Sequence, residues 1–427
     1  MLIQFSVSNF RSIANTINFS MEAAPTSKRA TEMGVDVANK FEISKTELLK
    51  SAVLYGANAS GKSNFVLAFD FMKRLILRSS SMQVGESLDV SPFRFIEEFA
   101  EKSSTFEMTF FASDQQIYRY GFSITSKIIV EEWLYVKGKT KESCLFERHG
   151  QKIDIKSKFS EGGNLENKTR DNGLFLATVA QFNGEISKRI IEWFRSVKIL
   201  RGTTDQFENL NAISALEDKK VEAKVSAFIK ELDLSIQEVF VEERKALNYP
   251  EVMLKMLSSE GLELLKNYSG FQAFTKHSKF LMDGQEIGFE TVPLAEYESE
   301  GTQKLFNFAP IFLEGLESQK IIIVDELDAK LHPLITLALI KMFHSNTGSE
   351  HCSQLIFTTH DTNLLTSKLF RRDQIWFTEK DKFGATQLYS LYDYKPQNKK
   401  IRTDEAYEKN YLVGKYGAIP YLGNLRF

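Results

Sequence analysis

The sequence predicts an α/β protein with a mixed central sheet, an antiparallel β-lobe and a mainly helical insertion. Three observations support this prediction. A glycine-rich loop at residues 56–63 stands between an apolar strand and a helix. A second apolar strand ends in two acidic residues, some 262 positions later (325 minus 63). Between them lie short β-rich runs and then a stretch of helical spacing, which indicates that two halves of one core flank an insertion.

The glycine-rich loop has the pattern of a P-loop. It reads Gly-Ala-Asn-Ala-Ser-Gly-Lys-Ser, follows the apolar run 52–55 and precedes a helical stretch at 64–77. Glycines let backbone N–H groups point inward around a phosphate, and the helix N-terminus adds its positive dipole end. A chance match is the alternative, but the flanking strand and helix argue against it. The predicted nucleotide contacts are Gly56, Asn58, Ser60, Gly61, Lys62, Ser63 and Asn64.

The P-loop also predicts the cofactors. Lys62 is expected to reach the β- and γ-phosphates of ATP, and Ser63 is expected to ligate Mg²⁺. ATP and Mg²⁺ are therefore the predicted ligands.

A second strand supplies the acidic half of the site. Four apolar β-formers, Ile321 to Val324, run directly into Asp325 and Glu326, as in a buried central strand that ends at the ligand edge of a sheet. Asp325 is expected to hold Mg²⁺ directly or through water, and Glu326 to polarise the attacking water. Alone, such a run is more often a strand leaving the core. Beside the P-loop it predicts a Walker B strand.

Two smaller signals lie on either side of this strand. Upstream, Ser299 and Gly301 stand at the entrance of a helical stretch at 305–313, where backbone N–H groups suit a phosphate. Downstream, the apolar strand 354–359 ends at His360, whose neutral imidazole could hydrogen-bond the γ-phosphate. The alternatives are an ordinary capping turn and a structural histidine.

The order of these features, with Leu-Asp-Ala-Lys-Leu-His-Pro at 327–333, resembles the ABC-type ATPase heads of the SMC, RecF and OLD group. The resemblance implies that Ser299 and Gly301 belong to the signature motif, that His360 is the switch histidine and that Asp328 lies in the D-loop. It also implies that the signature of one protomer caps the γ-phosphate held by the other. The expected assembly is a head-to-tail homodimer around ATP, with Glu326, His360 and Lys62 as catalytic residues.

Within that group, four segments resemble the AAA-type ATPases of abortive-infection and related antiphage systems. They are residues 5–13, the loop start 55–58, the strand 373–377 and the segment 411–420. This resemblance covers both ends of the chain and implies a sensor or scaffold that controls a separate effector. The 67 residues after His360 (427 minus 360) are too few for the TOPRIM nuclease domain of OLD-type proteins, so no such domain is expected.

The signature departs from the pattern of transporters, because it reads Ser-Glu-Gly-Thr-Gln instead of Ser-Gly-Gly-Gln. The γ-phosphate contact is therefore expected to depend on the Ser299 hydroxyl and nearby backbone N–H groups. The Q-loop has no single candidate: Glu131, Glu132 and Gln181 remain open, each with a surface residue as the alternative.

The predicted organisation has three parts. Residues 1–159 form the N-terminal half of the head with the β-lobe, 160–285 a mainly helical insertion that serves as a lid or docking surface, and 286–427 the C-terminal half. No heptad run is long enough for an SMC coiled coil.

Composition bounds the partners. The formal net charge is −2, so the whole chain has no electrostatic drive toward nucleic acid. Nucleic acid nevertheless stays open as a partner, and a RecF-like genome-maintenance ATPase is the alternative function.

No apolar stretch approaches the ~18 residues of a membrane span. With two cysteines and no signal peptide, a cytoplasmic protein without membrane contact is expected. The basic clusters, which more often are solvated faces, comprise Lys73, Arg74, Arg78, Lys395, Lys399, Lys400 and Arg402.

Overall fold

The computed structural model describes residues 1–25, 35–138, 141–201, 206–233, 235–243, 271–345, 353–395, 401 and 405–420. Contacts group the chain into two compact units. The first contains Met1–Ile199, Ser318–Leu327 and Leu337–Phe427, and the second contains Leu200–Glu317 and Asp328–Thr336. These bounds do not follow the predicted division, because residues 160–199 fall in the first unit and residues 286–317 in the second.

Two large sheets dominate the first unit. Seven strands form the β-lobe, numbered along the chain as β1 (Leu2–Ser8), β2 (Ile17–Ser20), β6 (Ser104–Phe111), β7 (Ile117–Ile124), β8 (Ile129–Lys137), β9 (Glu142–His149) and β10 (Lys152–Ile155). Their order is β10-β9-β8-β7-β6-β1-β2, and neighbours are antiparallel. A separate two-stranded ladder joins β3 (Lys40–Ile43) and β4 (Thr46–Leu49). The predicted antiparallel lobe is confirmed.

The central sheet has the order β11-β15-β16-β5-β17-β18. Its strands are β5 (Ser51–Gly56), β11 (Lys198–Leu200), β15 (Ile321–Val324), β16 (Gln354–Thr358), β17 (Ile375–Lys380) and β18 (Thr386–Ser390). β15, β16, β5 and β17 run parallel, whereas β18 is antiparallel to β17, so the sheet is mixed as predicted. The carboxyl ends of the four parallel strands meet at one edge, which is where open α/β sheets bind ligands.

Eleven helices are numbered along the described residues. They are α1 (Val35–Asn39), α2 (Lys62–Arg78), α3 (Glu97–Ala100), α4 (Phe175–Gln181), α5 (Glu185–Ser196), α6 (Gln206–Ala215), α7 (Lys219–Leu232), α8 (Leu294–Tyr297), α9 (Glu300–Glu317), α10 (Pro333–Ser345) and α11 (Tyr407–Leu412). None of these described helices has the length and apolar character needed to cross a bilayer.

The helix after the P-loop, α2, lies in the main core. Its buried aromatic residues recur at helical spacing, with Phe65 and Phe69 one turn apart. The Phe69 ring centroid lies 3.8 Å from that of Phe5 in β1. Phe19 of β2 lies 5.1 Å from Phe65 and 5.0 Å from Trp376 of β17. Aromatic packing therefore joins the β-lobe, α2 and the central sheet into one core that holds the P-loop in place.

The same kind of packing explains why residues 160–199 belong to the first unit. In α5, the Trp193 ring stacks on Phe110 of β6, with centroids 4.0 Å apart. In α4, the Phe175 ring packs against the Phe146 ring of β9, with centroids 5.0 Å apart. The sequence predicted a mainly helical segment from residue 160 onward, but it could not show that the apolar faces of α4 and α5 cover the β-lobe.

The second unit combines helices with a three-stranded antiparallel sheet, β12 (Ile236–Glu243), β13 (Phe271–Phe280) and β14 (Glu286–Pro293). The hairpin between β13 and β14 turns at Asp283 and Gly284, and Gly284 has a φ of 89°. Five apolar side chains are exposed at and beside the tip of this hairpin, and we call them the apolar hairpin tip. They are Phe280, Leu281, Met282, Ile287 and Phe289.

Candidate functional site

A cavity of about 480 Å³ opens at the carboxyl edge of the central sheet. Its volume lies within the ~300–1,000 Å³ of small-molecule sites. Glu326 and His360 line it opposite the P-loop. The loop residues that line it are Asn58, Ala59, Ser60, Gly61, Lys62, Ser63 and Asn64. Most of the predicted nucleotide contacts thus face one space.

Two glycines give the loop its shape. Gly61 adopts a φ of 116°, and a Cβ there would lie 2.1 Å from Thr386 Oγ1. A Cβ at Gly56, at the end of β5, would lie 2.4 Å from the carbonyl oxygen of Thr378. The backbone therefore approaches β17 and β18 more closely than any side chain allows. A hydrogen bond of 2.6 Å between the Ser60 and Thr378 hydroxyls also joins the loop to β17.

The lysine of the loop is buried against its backbone. Lys62 is 5% exposed, and its ammonium donates to the carbonyl oxygens of Gly56 at 2.7 Å and Ala57 at 3.2 Å. Its positive charge therefore lies within the loop, where phosphate oxygens would meet it. Next to it, the Asn64 amide donates to Ser12 Oγ at 2.7 Å and ties the start of α2 to the turn after β1.

The acidic half of the site depends on Thr358, at the end of β16. Its hydroxyl donates to Asp325 Oδ1 at 2.7 Å and accepts from the Glu326 N–H at 2.7 Å. Glu326 itself has a φ of 54°, a conformation that is uncommon for residues other than glycine and that recurs at functional sites. Thr358 thus fixes both acids, although no pattern in the sequence assigns it that role. The sequence shows only that it lies near the end of an apolar strand, two residues before His360.

His360 follows this strand and is exposed at the cavity. Two hydrogen bonds to β5 hold the backbone on either side of it. The Thr359 N–H donates to the carbonyl oxygen of Leu54 at 3.2 Å, and the Tyr55 hydroxyl donates to the carbonyl oxygen of Asp361 at 3.1 Å. β5 therefore positions the segment that carries the histidine.

The signature residues lie in the second unit, at the start of α9. Ser299 caps this helix, because its hydroxyl accepts from the Thr302 N–H at 3.2 Å. A Cβ at Gly301 would lie 2.6 Å from the carbonyl oxygen of Lys330, which follows Asp328 in the predicted D-loop. Since the Lys330 ammonium also pairs with Glu300 at 2.8 Å, the predicted signature and D-loop segments touch.

The candidate Q-loop residues make contacts within the first unit. The buried Glu132 carboxylate accepts from the N–H groups of Phe175 at 2.6 Å and Leu176 at 2.9 Å, and it faces Arg148 at 3.5 Å. Burial raises the pKa of this carboxyl. Glu132 therefore stabilises the N-terminus of α4 against the β-lobe. Glu131 lies 3.3 Å from His149, and the Gln181 amide donates to Ser80.

The basic cluster on α2 is engaged within the protein. Lys73 donates to the carbonyl oxygen of Val197, and burial lowers its pKa. Arg74 pairs with Asp70 at 3.0 Å, and Arg78 pairs with Glu86. Partners within the chain thus account for all three cations. Of the second basic group, Lys399, Lys400 and Arg402 lie outside the described residues, as does Cys352.

The loop, the parallel strands and the acids at their carboxyl edge define a P-loop NTPase of mixed α/β fold. Within this class, residues 51–366 match the family described as "AAA domain, putative AbiEii toxin, Type IV TA system". The chain belongs to that family.

Solved structures that match the chain include two SMC heads and a recombination mediator protein. An SmcHead bound to the C-winged helix domain of ScpA is 13% identical, with 91% of this chain and 97% of that chain covered and a TM-score of 0.43. The SMC head domain from Thermotoga maritima is 12% identical, with 91% and 98% covered and a TM-score of 0.40. The recombination mediator protein RecF with ATPrS is 13% identical, with 91% and 98% covered and a TM-score of 0.34. Among curated proteins, none matches the chain.

Proposed function

We propose that this protein is an ATP-hydrolysing ABC-type ATPase whose two copies close head-to-tail around ATP. The observation that carries the proposal is the single cavity shared by the P-loop, Glu326 and His360. Its polar lining, with a buried lysine and a helix N-terminus, suits a phosphate chain. Ser63 and Asp325 are the residues that would hold Mg²⁺, which neutralises phosphate charge when bound.

The residues of the cavity divide the chemical work. Lys62 and the loop N–H groups bind the phosphates, while Glu326 orients the attacking water and accepts its proton. His360 contacts the γ-phosphate. Thr358 fixes both acids through its hydroxyl, so that the water and the metal ligand keep a constant separation.

The signature supports the dimer. Ser299 and Gly301 stand at the N-terminus of α9, an 18-residue helix whose dipole favours an anion. In the proposed sandwich, these residues cap the γ-phosphate bound by the other protomer. Asp328, in the neighbouring D-loop, lies between the two sites.

The family description supports the proposed defence role. The family description names a toxin of a type IV toxin–antitoxin (TA) system. This description is compatible with a protein that works together with a second protein. The exposed apolar hairpin tip supports a protein contact, since such patches mark interaction sites. We propose that ATP-driven closure holds and then releases or activates a separate effector in an antiphage system. Co-expression with neighbouring genes tests this role, and recovery of the protein alone would count against it.

Clamping of DNA is the alternative function. It predicts turnover that DNA stimulates and that falls steeply with salt. The burial of Lys73, whose ammonium donates to the carbonyl oxygen of Val197, favours the first proposal, because this cation is less available to phosphates.

Replacing Lys62 by alanine tests nucleotide binding directly. Loss of a charge-assisted contact costs ~1.5–3 kcal/mol, so the Kd for ATP should rise at least about tenfold. Titration calorimetry measures this, with Lys73→Ala on the same helix as the control that should bind normally. Unchanged affinity in Lys62→Ala would contradict the assignment of the loop.

Replacing Thr358 by valine tests the hydroxyl that joins the two acids. Valine keeps the shape but leaves the half-buried Glu326 N–H without the Thr358 hydroxyl, at a cost of ~1–3 kcal/mol. We expect kcat to fall roughly tenfold while ATP binding is retained. Thr336→Val is the matched control, because Thr336 is buried and its hydroxyl has no hydrogen-bond partner among the described residues. If Thr358→Val and Thr336→Val hydrolysed ATP at equal rates, the proposed role of Thr358 would be rejected.

A further inference from the structure

Glu298, the residue directly before the signature serine, is held by a cluster of polar side chains in the second unit. Its carboxylate accepts from the Thr275 hydroxyl at 2.5 Å and lies 2.7 Å from His277 Nε2. Thr275 is fully buried, and the Glu298 side chain is only 9% exposed. We name these three residues the Glu298 clasp. Both partners of Glu298 come from β13, so one strand fixes this position.

The geometry of His277 shows that the clasp needs a proton. Its Nδ1 lies 3.0 Å from the carbonyl oxygen of Ser235, and since a carbonyl only accepts, Nδ1 carries hydrogen. Its Nε2 faces Glu298 Oε1, so the short contact requires a second proton on either the ring or the carboxyl. The contact is therefore charge-assisted or proton-sharing, and stronger than a neutral hydrogen bond.

The other side of Glu298 contacts the signature helix. Its backbone carbonyl accepts from the Gln303 amide at 2.9 Å, within the first turn of α9. Ser299 follows in the chain and accepts from the Thr302 N–H. Glu298 thus joins β13 to the turn that carries Ser299 and Gly301.

We infer that Thr275 and His277 are positioning residues that fix the signature through Glu298. The inference rests on the proposed sandwich, in which the signature meets a γ-phosphate on another protomer. An error of about 1 Å in a positioned group can cost ~10²-fold in rate. Loss of the clasp should therefore impair turnover without weakening the binding of ATP to the P-loop of the same chain.

Three variants separate positioning from general stability. Glu298→Ala removes both contacts, and Thr275→Val removes one with little change in shape. Glu298→Gln should rescue, because its carbonyl oxygen can take the place of Oε1, the atom that both Thr275 and His277 contact, and can accept from the Thr275 hydroxyl and from a protonated His277 Nε2. The matched control is Glu290→Ala on the adjacent strand, which breaks an exposed pair with Lys279.

We expect Glu298→Ala to bind ATP normally and to lose turnover on the order of 10²-fold, with Thr275→Val intermediate and both Glu298→Gln and Glu290→Ala near the parent. In a composite dimer, Glu298→Ala mixed with Lys62→Ala should regain part of the turnover. One site of the mixed dimer combines an intact P-loop with an intact signature.

The outcomes are distinct. Normal turnover in Glu298→Ala, or no rescue by Glu298→Gln, overturns the inference. So does failure of Glu298→Ala to complement Lys62→Ala when Ser299→Arg succeeds in the same assay. If Ser299→Arg also fails to complement, the proposed sandwich is overturned, and the inference with it.

Discussion

Replacing Glu326 by glutamine should leave ATP binding intact, lower turnover by ~10²–10³ and trap a dimer. Glutamine keeps the size of the side chain but cannot accept the proton of the attacking water. The backbone contact to Thr358 remains, so the strained conformation at this position persists. Since phosphate capture belongs to the P-loop, the closed state forms but does not turn over.

The measurement is the solution mass of Glu326→Gln, with and without Mg-ATP, by light scattering coupled to size exclusion. Lys62→Ala is the negative control, because it should bind the nucleotide that joins the protomers at least about tenfold more weakly. An ATP-dependent rise in mass would support the sandwich. A mass independent of nucleotide would instead indicate a constitutive assembly or a wrong class assignment.

The part of this site that the sequence predicts is the part whose geometry is local. The P-loop consists of consecutive residues between a strand and a helix, so its residue types alone define the turn and the contacts it offers. Ser299 is similar, because a capping serine is recognised by the helix that follows it. Both predictions required only short segments of chain.

What the sequence does not predict depends on contacts between distant segments. Thr358 reaches Asp325 and Glu326 because β16 lies beside β15, and no pattern within β16 reveals that pairing. The Glu298 clasp depends in the same way on the position of β13. The sequence predicted a mainly helical segment at 160–285, but the assignment of residues 160–199 to the β-lobe needed the aromatic contacts of Trp193 and Phe175.

Replacing Ser299 by arginine should spare ATP binding and abolish the ATP-dependent dimer. The long side chain would stand at the N-terminus of α9, where the partner's γ-phosphate is proposed to approach, and it would also remove the cap. Ser299→Ala separates these effects, because it removes the hydroxyl, and with it a cap worth ~1 kcal/mol, without adding a long charged side chain. We therefore expect Ser299→Ala to form the dimer weakly and Ser299→Arg not at all.

Mixing variants turns this prediction into a test of the composite site. Lys62→Ala lacks a working P-loop but keeps its signature, whereas Ser299→Arg has the opposite defect. Each alone should hydrolyse no ATP, and an equal mixture should recover part of the activity, because one site of the mixed dimer is intact. Recovery should be absent when Lys62→Ala is mixed with Glu326→Gln, since both defects then affect the same half of the site. Normal hydrolysis by Ser299→Arg alone would show that each chain acts by itself, and the composite site would be rejected.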